Sequence, residues 1–304
     1  MIKQCVLVLS CKRPEFTKLL VTCLLDGDNY DICIAVDKAT DSSSAELRAE
    51  HEILERKFNS SRIHWLYRDR NFGIVNNLYS ALDSIFQAYD ICVVLEDDIK
   101  VGVSHLKSLF AKLKTPLPNH IMTVGLFGGL PCSMIPHRTN MWRLTPYFSA
   151  WGWGIKKEQW VNFRKATSSQ DWSDYSFSSK YWQSLRMRSK NVWFYRFSKI
   201  KINPLFAWDY QFQHYSFKFQ KYHLLPIYRA NDNIGFSDPR STNTKSRKPR
   251  WYCGTSCKHN IQDEVKSQSW QRIMVALDSL TWIGDSFFAQ KYASFRRQSR
   301  RKRS

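Results

Sequence analysis

Hydrophobic residues in the first hundred positions fall into short continuous runs, separated by segments in which they recur at helical spacing. The runs predict strands at Cys5 to Ser10, Tyr30 to Val36, Ile63 to Tyr67 and from Ile91, and the spaced segments predict helices at Pro14 to Leu25, Ser44 to Phe58 and Ile74 to Tyr89. Strands that alternate with helices pair in parallel through right-handed crossovers. The pattern therefore predicts an α/β fold with a mostly parallel sheet.

After about Thr115 the pattern becomes less regular, since Pro116 and Pro118 end the preceding helix. We expect one further strand at Ile121 to Phe127 and helices at Lys157 to Lys165, Ser179 to Ser189, Asp209 to Phe217 and Trp270 to Leu280. No internal repeat is visible. The second part of the chain is rich in aromatic residues, which predicts either a large core or surfaces for planar ligands.

The run that starts at Ile91 ends in three consecutive acids, Glu96, Asp97 and Asp98. A strand buried on both faces delivers such residues to the carboxyl edge of the sheet, where open α/β folds bind ligands. Adjacent carboxylates repel each other unless a hard cation such as Mg²⁺ or Mn²⁺, with its phosphate ligands, neutralises them. The triplet therefore predicts a metal site, with a solvated acidic turn as the alternative.

Charge points to an anionic partner, because 46 Lys and Arg against 26 Asp and Glu give a net charge of +20. The partner could be a phosphorylated donor, nucleic acid or an acidic membrane surface. Six basic residues lie within Arg296 to Ser304, directly after an aromatic-rich stretch. That tail predicts a membrane-surface contact, with a solvated tail as the alternative.

The chain starts with a strand rather than an apolar signal segment, and no stretch approaches the roughly 18 apolar residues of a spanning helix. We therefore expect a cytoplasmic protein, peripheral on the inner face of a membrane if the tail binds lipid. Several of the eight cysteines fall in predicted buried segments, as reduced thiols do. Cys253, Cys257 and His259 lack a second ligand pair at zinc spacing, so no zinc site is expected.

Arg13 after the first strand, Asp37 after the second and the acids after the fourth form a pattern that resembles GT-A glycosyltransferases. The closest likeness is to bacterial nucleotide-diphospho-sugar transferases, with a more distant one to the N-acetylglucosaminyltransferase I family. Three later segments continue the likeness over residues 3 to 245: Tyr147 to Gly154 with its Trp-Gly-Trp, Trp208 to Phe212, and Asn233 to Phe236. One departure is Asn243, which stands where the bacterial pattern usually has His.

The resemblance implies roles for individual residues. Asp98 would bind Mn²⁺ or Mg²⁺, and Asp209 would be the catalytic base of an inverting reaction, with a helix cap as its alternative role. The nucleotide-sugar would contact Arg13, Asp37, Asn71, Glu96 and Asp97, and the sugar or acceptor would stack on Trp151, Trp153 and Trp208. For each Trp the alternative is packing in the core, and for Asp37 it is the N-cap of a helix.

The resemblance also implies an organisation and an activity. Residues 1–130 would form a nucleotide-sugar-binding half, residues 131–245 an aromatic-rich acceptor and catalytic half of the same GT-A domain, and residues 246–304 a helical extension. The expected activity is metal-dependent transfer of a hexosyl or N-acetylhexosaminyl group from a UDP-linked donor to a hydroxyl of a glycan or lipid-linked glycan, such as a lipopolysaccharide or capsule intermediate. Alternatives are a retaining or phosphate-transferring relative, or an inactive protein that binds nucleic acid or membranes.

Overall fold

The computed structural model describes residues 2–27, 29–128, 140–168, 171–177, 179–185, 187–236, 238–241 and 261–264. The predictions for Asn243, for Cys253 and Cys257, for the helix from Trp270 and for the basic tail lie outside these residues.

The strands are β1 Gln4–Ser10, β2 Asp31–Val36, β3 Ile63–Tyr67, β4 Ile91–Glu96, β5 Ile99–Val101, β6 Ile121–Gly125, β7 Asn140–Thr145, β8 Trp153–Lys156, β9 Tyr222–Pro226, β10 Asn231–Asn233 and β11 Ile261–Glu264. The helices are α1 Pro14–Leu25, α2 Ser44–Lys57, α3 Gly73–Ala88, α4 Val103–Lys114, α5 Lys157–Thr167, α6 Lys180–Ser184, α7 Met187–Ile202 and α8 Trp208–Lys218. A 3-10 turn at Pro204–Phe206 joins α7 to α8.

Nine of the described strands form one sheet in the order β11-β7-β9-β6-β8-β4-β1-β2-β3. Neighbours are parallel except around β8, which runs antiparallel to both β4 and β6, and between β7 and β9. The predicted fold class, a mostly parallel α/β sheet flanked by helices, is confirmed. Strands from both predicted halves share this sheet, because β8 lies between β4 and β6.

The central strands β1, β2 and β4 are buried on both faces, which explains their continuous hydrophobic runs. Val6 and Val8 pack in a cluster with Leu20 of α1 and residues of α4, whereas Cys5 and Leu7 face a second cluster with α3, α5 and α8. This alternation follows the two-residue period of a strand. Helices therefore cover both faces of the sheet. A site can form at its carboxyl edge, where the loops that follow the parallel strands lie.

Most predicted elements in the first half are found within a few residues of their expected ends, and the bounds of α1 and β3 agree with the prediction. The predicted helix at Ser179 to Ser189 is wrong in extent, because α6 ends at Ser184 and α7 continues to Ile202. In α7 the buried residues Val192, Trp193, Phe197 and Ile200 recur at helical spacing. No helix in the described part of the chain has the length and apolarity needed to cross a bilayer.

Candidate active site

The acidic triplet lies where β4 ends, next to the end of β1. β1 and β4 are parallel neighbours, and the N–H of Asp97 donates to the carbonyl of Leu9 at 3.0 Å. Asp97 and Asp98 are only 4% and 3% exposed, while Glu96 is half-buried. α1 starts directly after Arg13, so this guanidinium reaches the same edge of the sheet.

Arg13 is the counter-ion of both aspartates. Its Nη1 donates to Asp98 Oδ2 at 3.0 Å, its Nε donates to Asp97 Oδ2 at 3.3 Å, and its Nη2 contacts Asp97 Oδ1. Nη1 also donates to Ser241 Oγ at 2.9 Å. The sequence predicted that Arg13 and the acids lie at one edge, and the structure pairs them directly.

The chain after β10 covers this cluster. Ile234 N–H donates to the carbonyl of Asp98 at 2.8 Å, and Asn233 Nδ2 lies 3.5 Å from Asp98 Oδ1. A Cβ on Gly235 would lie 2.1 Å from Asp98 Oδ2, closer than real Cβ contacts come. Only glycine leaves room for this carboxylate in its present position.

Negative charge exceeds positive charge in this cluster. Burial raises the pKa of Asp97 to about 7, although Arg13 acts in the opposite direction. Burial, followed by the charges of Asp98, Asp97 and Asp209, raises the pKa of Glu96 well above its ordinary range. Burial also raises the pKa of Asp98. Glu96, Asp97 and Asp98 share the guanidinium of Arg13, so the site favours a further cation.

The donor set fits a hard divalent ion in chemistry and charge. No group of three or more His, Cys, Asp or Glu within the described ranges is placed to hold a metal by itself. Mg²⁺ is commonly bound by one or two carboxylates together with substrate phosphates, and such a site needs no protein cage. The role of Asp98 as a metal ligand therefore stays a prediction. Metal binding would require the Asp98 carboxylate to give up its hydrogen bond from Arg13 in favour of the ion.

Asp209 lies in the first turn of α8 and is half-buried. The alternative role predicted for Asp209 was that of the helix N-cap. The N-cap residue of this helix is Ala207 instead. Burial raises the pKa of Asp209, while the charge of Arg196 on α7 lowers it. The charge of Asp209 also contributes to the raised pKa of Glu96.

Asp37 joins two loops at the carboxyl edge. Its Oδ1 accepts hydrogen bonds from the N–H groups of Lys38 at 2.9 Å and Phe72 at 2.8 Å, and Asn71 Nδ2 donates to the carbonyl of Lys38. Asp37 thus holds the backbone of two loops, and it is not the helix N-cap of the predicted alternative, because the N-cap residues of α2 and α3 are Ser43 and Phe72. Contact of Asp37 or Asn71 with a nucleotide stays a prediction.

A cavity of about 470 Å³ opens beside Asp37, at the ends of β1, β2 and β3. Its lining includes Cys11, Arg48, His51 and Arg68. Burial lowers the pKa of His51, which keeps the ring neutral, and its Nε2 lies 2.8 Å from Ser10 Oγ. Small-molecule sites commonly have volumes of about 300–1,000 Å³, so a nucleoside fits by size.

The three tryptophans predicted to stack on sugar lie in different surroundings. Trp153 and Trp208 are buried in the core, and their rings stack on each other with centroids 5.4 Å apart. Trp151 is half-buried and packs edge-on against Phe127 and Phe236. Core packing therefore describes Trp153 and Trp208, and the stacking prediction is kept for Trp151.

Sequence reasoning missed two residues of this site. Ser241 hydrogen-bonds Arg13 from 228 positions away, and Arg196 lies near Asp209 from a helix that was predicted too short. No local pattern marks Ser241. The helical spacing of the buried residues in α7 was the signal that could have placed Arg196 within that helix.

No known protein-family profile and no curated protein matches the sequence. Among solved structures, the mannosyltransferase PcManGT from Pyrobaculum calidifontis in complex with GDP-Man and Mn²⁺ is 14% identical over 54% of this chain and 46% of that chain, with a TM-score of 0.39. GalNAc-T7 with UDP, GalNAc and Mn²⁺ is 11% identical over 54% and 37%, with a TM-score of 0.41. A cytidylyltransferase from Leptospira borgpetersenii is 11% identical over 54% and 65%, with a TM-score of 0.34.

The first is a mannosyltransferase bound to GDP-Man, the second is bound to UDP and GalNAc, and the third is a cytidylyltransferase. The chain spans less than two thirds of the length of each of them. At such low identities and TM-scores the likeness assigns neither a substrate nor site residues. Those have to come from the geometry of this chain.

Proposed function

We propose that this protein is a glycosyltransferase that moves a sugar from a nucleotide donor to a hydroxyl group. The observation that carries the proposal is the buried cluster of Arg13 with Asp97 and Asp98 at the carboxyl edge of the sheet. Asp209 acts electrostatically on the neighbouring Glu96, and the cavity of about 470 Å³ opens at the same edge. Together they provide an anion-binding group, a cation-binding group, a base and a space for a nucleoside.

The donor would bind across the first half of the chain, residues 1–130. The guanidinium of Arg13 makes bidentate contacts with carboxylates here, and the same geometry suits a diphosphate. The nucleoside would occupy the cavity beside Asp37, with Arg68 in its lining and Asn71 bonded to the carbonyl of Lys38 beside it. A UDP-linked donor is the form we propose.

Asp98 would hold Mn²⁺ or Mg²⁺ together with donor phosphate oxygens. The bound ion would supply Lewis-acid stabilisation of the leaving diphosphate. Asp97 would order water or ribose beside it, and Glu96, half-buried at the end of β4, would contact the donor sugar.

Asp209 would accept the proton of the incoming hydroxyl, as a general base does in a direct displacement with inversion. Its raised pKa makes it a stronger base than an ordinary aspartate once ionised. Trp151 would stack on the sugar or acceptor. The acceptor would bind to residues 131–245, and we propose a hydroxyl of a glycan such as a lipopolysaccharide or capsule intermediate, receiving a hexosyl or N-acetylhexosaminyl group.

Nucleotide binding tests the proposal directly. UDP should bind the wild-type protein tightly only with Mn²⁺, and Asp98→Asn should abolish the effect of the metal while leaving the fold intact. Asp83→Asn is a matched control, because Asp83 is an exposed acid that pairs with Arg164 away from the cluster. Metal-dependent binding that survives in Asp98→Asn would remove Asp98 from the metal site. Hydrolysis of a panel of nucleotide sugars with Mn²⁺ would then identify the donor.

The net charge of +20 favours a second candidate, a nucleic-acid-binding protein. Such a protein would bind without metal and lose affinity steeply as salt rises, because released counter-ions drive the association. Titration of a duplex at two salt concentrations, with and without chelator, separates the two candidates.

A further inference from the structure

α7 is amphipathic, and its buried side is well defined. Val192, Trp193, Phe197 and Ile200 pack towards the interior, the last three in the aromatic cluster that contains Tyr147 and Phe217. At 3.6 residues per turn these four positions occupy one side of the helix. The opposite side faces solvent.

Large apolar residues nevertheless occupy that opposite side. Met187, Tyr195 and Ile202 are 67%, 49% and 80% exposed and lie within an arc of about 80° at the helical period. The stripe continues into the 3-10 turn, where Leu205 and Phe206 are 52% and 53% exposed. We call these five residues the α7 stripe.

Cations border the α7 stripe on both sides. At the helical period Lys190 and Lys201 fall on one side of it, and Lys199 falls on the other. From Tyr175 to Trp208 the sequence contains seven Lys and Arg and no Asp or Glu. An apolar stripe flanked by cations is typical of helices that lie in the surface of an anionic bilayer, where basic side chains reach the lipid headgroups.

The end of the stripe is held in place next to the candidate base. Asn203 Oδ1 accepts from Leu205 N–H at 3.0 Å, and the carbonyl of Pro204 accepts from Gln211 Nε2 on α8. Gln211 Oε1 in turn accepts from Tyr79 of α3 at 2.8 Å. The exposed turn is therefore fixed to the core only a few residues before Asp209.

We propose that the α7 stripe docks on an anionic lipid bilayer, with Ile202, Leu205 and Phe206 inserted below the headgroups and the flanking lysines at the phosphates. Asp171 lies near enough to Lys201 for their charges to interact, but positive charge still exceeds negative charge along this segment. Lipid, rather than a protein partner, fits this excess, because it suits a surface of many phosphates. The α7 stripe lies about 90 positions before the basic tail at Arg296 to Ser304 in the sequence. Docking would place Asp209 near acceptors at the membrane. That consequence rests on the proposed function, but the docking does not.

Co-sedimentation of the full chain with vesicles of phosphatidylcholine and phosphatidylserine tests the docking. Ile202→Ser with Leu205→Ser should lower the partition coefficient by about tenfold or more, since two large apolar side chains lose their burial. Lys199→Glu with Lys201→Glu should weaken binding most at low salt. The matched control is Leu19→Ser with Ile53→Ser, two residues 60% and 55% exposed on α1 and α2. All variants retain the basic tail, so its contribution is constant.

The proposal is overturned if the wild type and the double variant Ile202→Ser, Leu205→Ser bind the vesicles equally. Partitioning that falls as much in the Leu19, Ile53 control would overturn it too, because general apolar exposure would then explain binding. Equal binding to pure phosphatidylcholine would refute the anionic surface. UDP binding in solution, measured on each variant, reports on the proposed function separately from the docking.

Discussion

Replacing Arg13 with alanine would leave Asp97 and Asp98 buried without their shared cation. The side chains of the three residues are only 13%, 5% and 4% exposed, so water cannot take over the role of the guanidinium. Removal of one partner of a buried ion pair typically costs about 3–5 kcal/mol, and we expect a loss of unfolding free energy in that range at pH 8. The variant also loses the hydrogen bond to Ser241.

The loss should depend on pH, and its direction follows from Asp97. The pKa of Asp97 in the folded protein is about 7, above its ordinary value, so the folded state binds more protons than the unfolded state below that pH. Stability therefore falls as pH rises through 7. Without Arg13 the pKa of Asp97 rises further, so the difference between variant and wild type should be largest at pH 8 and smaller at pH 5.

Urea unfolding followed by tryptophan fluorescence measures both effects. Arg164→Ala is the control, because Arg164 pairs with Asp83 at a site where the two side chains are 39% and 44% exposed, so its loss should cost less than that of the buried Arg13. Arg13→Lys keeps the charge without the bidentate fork and should recover part of the loss. If Arg13→Ala costs no more than Arg164→Ala, or the same at both pH values, Arg13 is not the counter-ion that the structure indicates.

Three further predictions concern catalysis, packing and the tail. Asp209→Asn should lower the transfer rate by roughly 10²-fold or more while nucleotide affinity is kept. The wild-type rate should rise with pH through a pKa above that of an ordinary aspartate. Near-wild-type turnover of Asp209→Asn would exclude Asp209 as the base. Gly235→Ala should weaken UDP binding and lower the melting temperature, whereas Gly102→Ala, where the nearest atom is 3.6 Å away, should change neither. Deletion of residues 296–304 should weaken vesicle binding at low salt without changing donor hydrolysis, and unchanged sedimentation would refute the tail as a tether.

The sequence by itself determined the α/β class and the edge of the sheet at which the acids lie. Both follow from local patterns: a strand buried on both faces is hydrophobic at every position, and an intervening helix shows its own period. The segment from Ile91 to Asp98 therefore located the candidate site before any contact was known.

Other features depended on contacts between distant parts of the chain. Trp151 and Trp153 are two positions apart, and only the placement of β8 between β4 and β6 buries one and leaves the other half-buried. The exposed side of α7 also became visible only when Val192 and Phe197 packed inward, because apolar residues occur on both sides of this helix.

The tertiary structure alone decided the charge balance of the site. Nothing in the local sequence shows that Arg13 pairs with Asp97 and Asp98, or that Ser241 completes the cluster from 228 residues away. Electrostatic interactions act over a few ångströms and depend on burial, and both are properties of the folded chain rather than of sequence spacing.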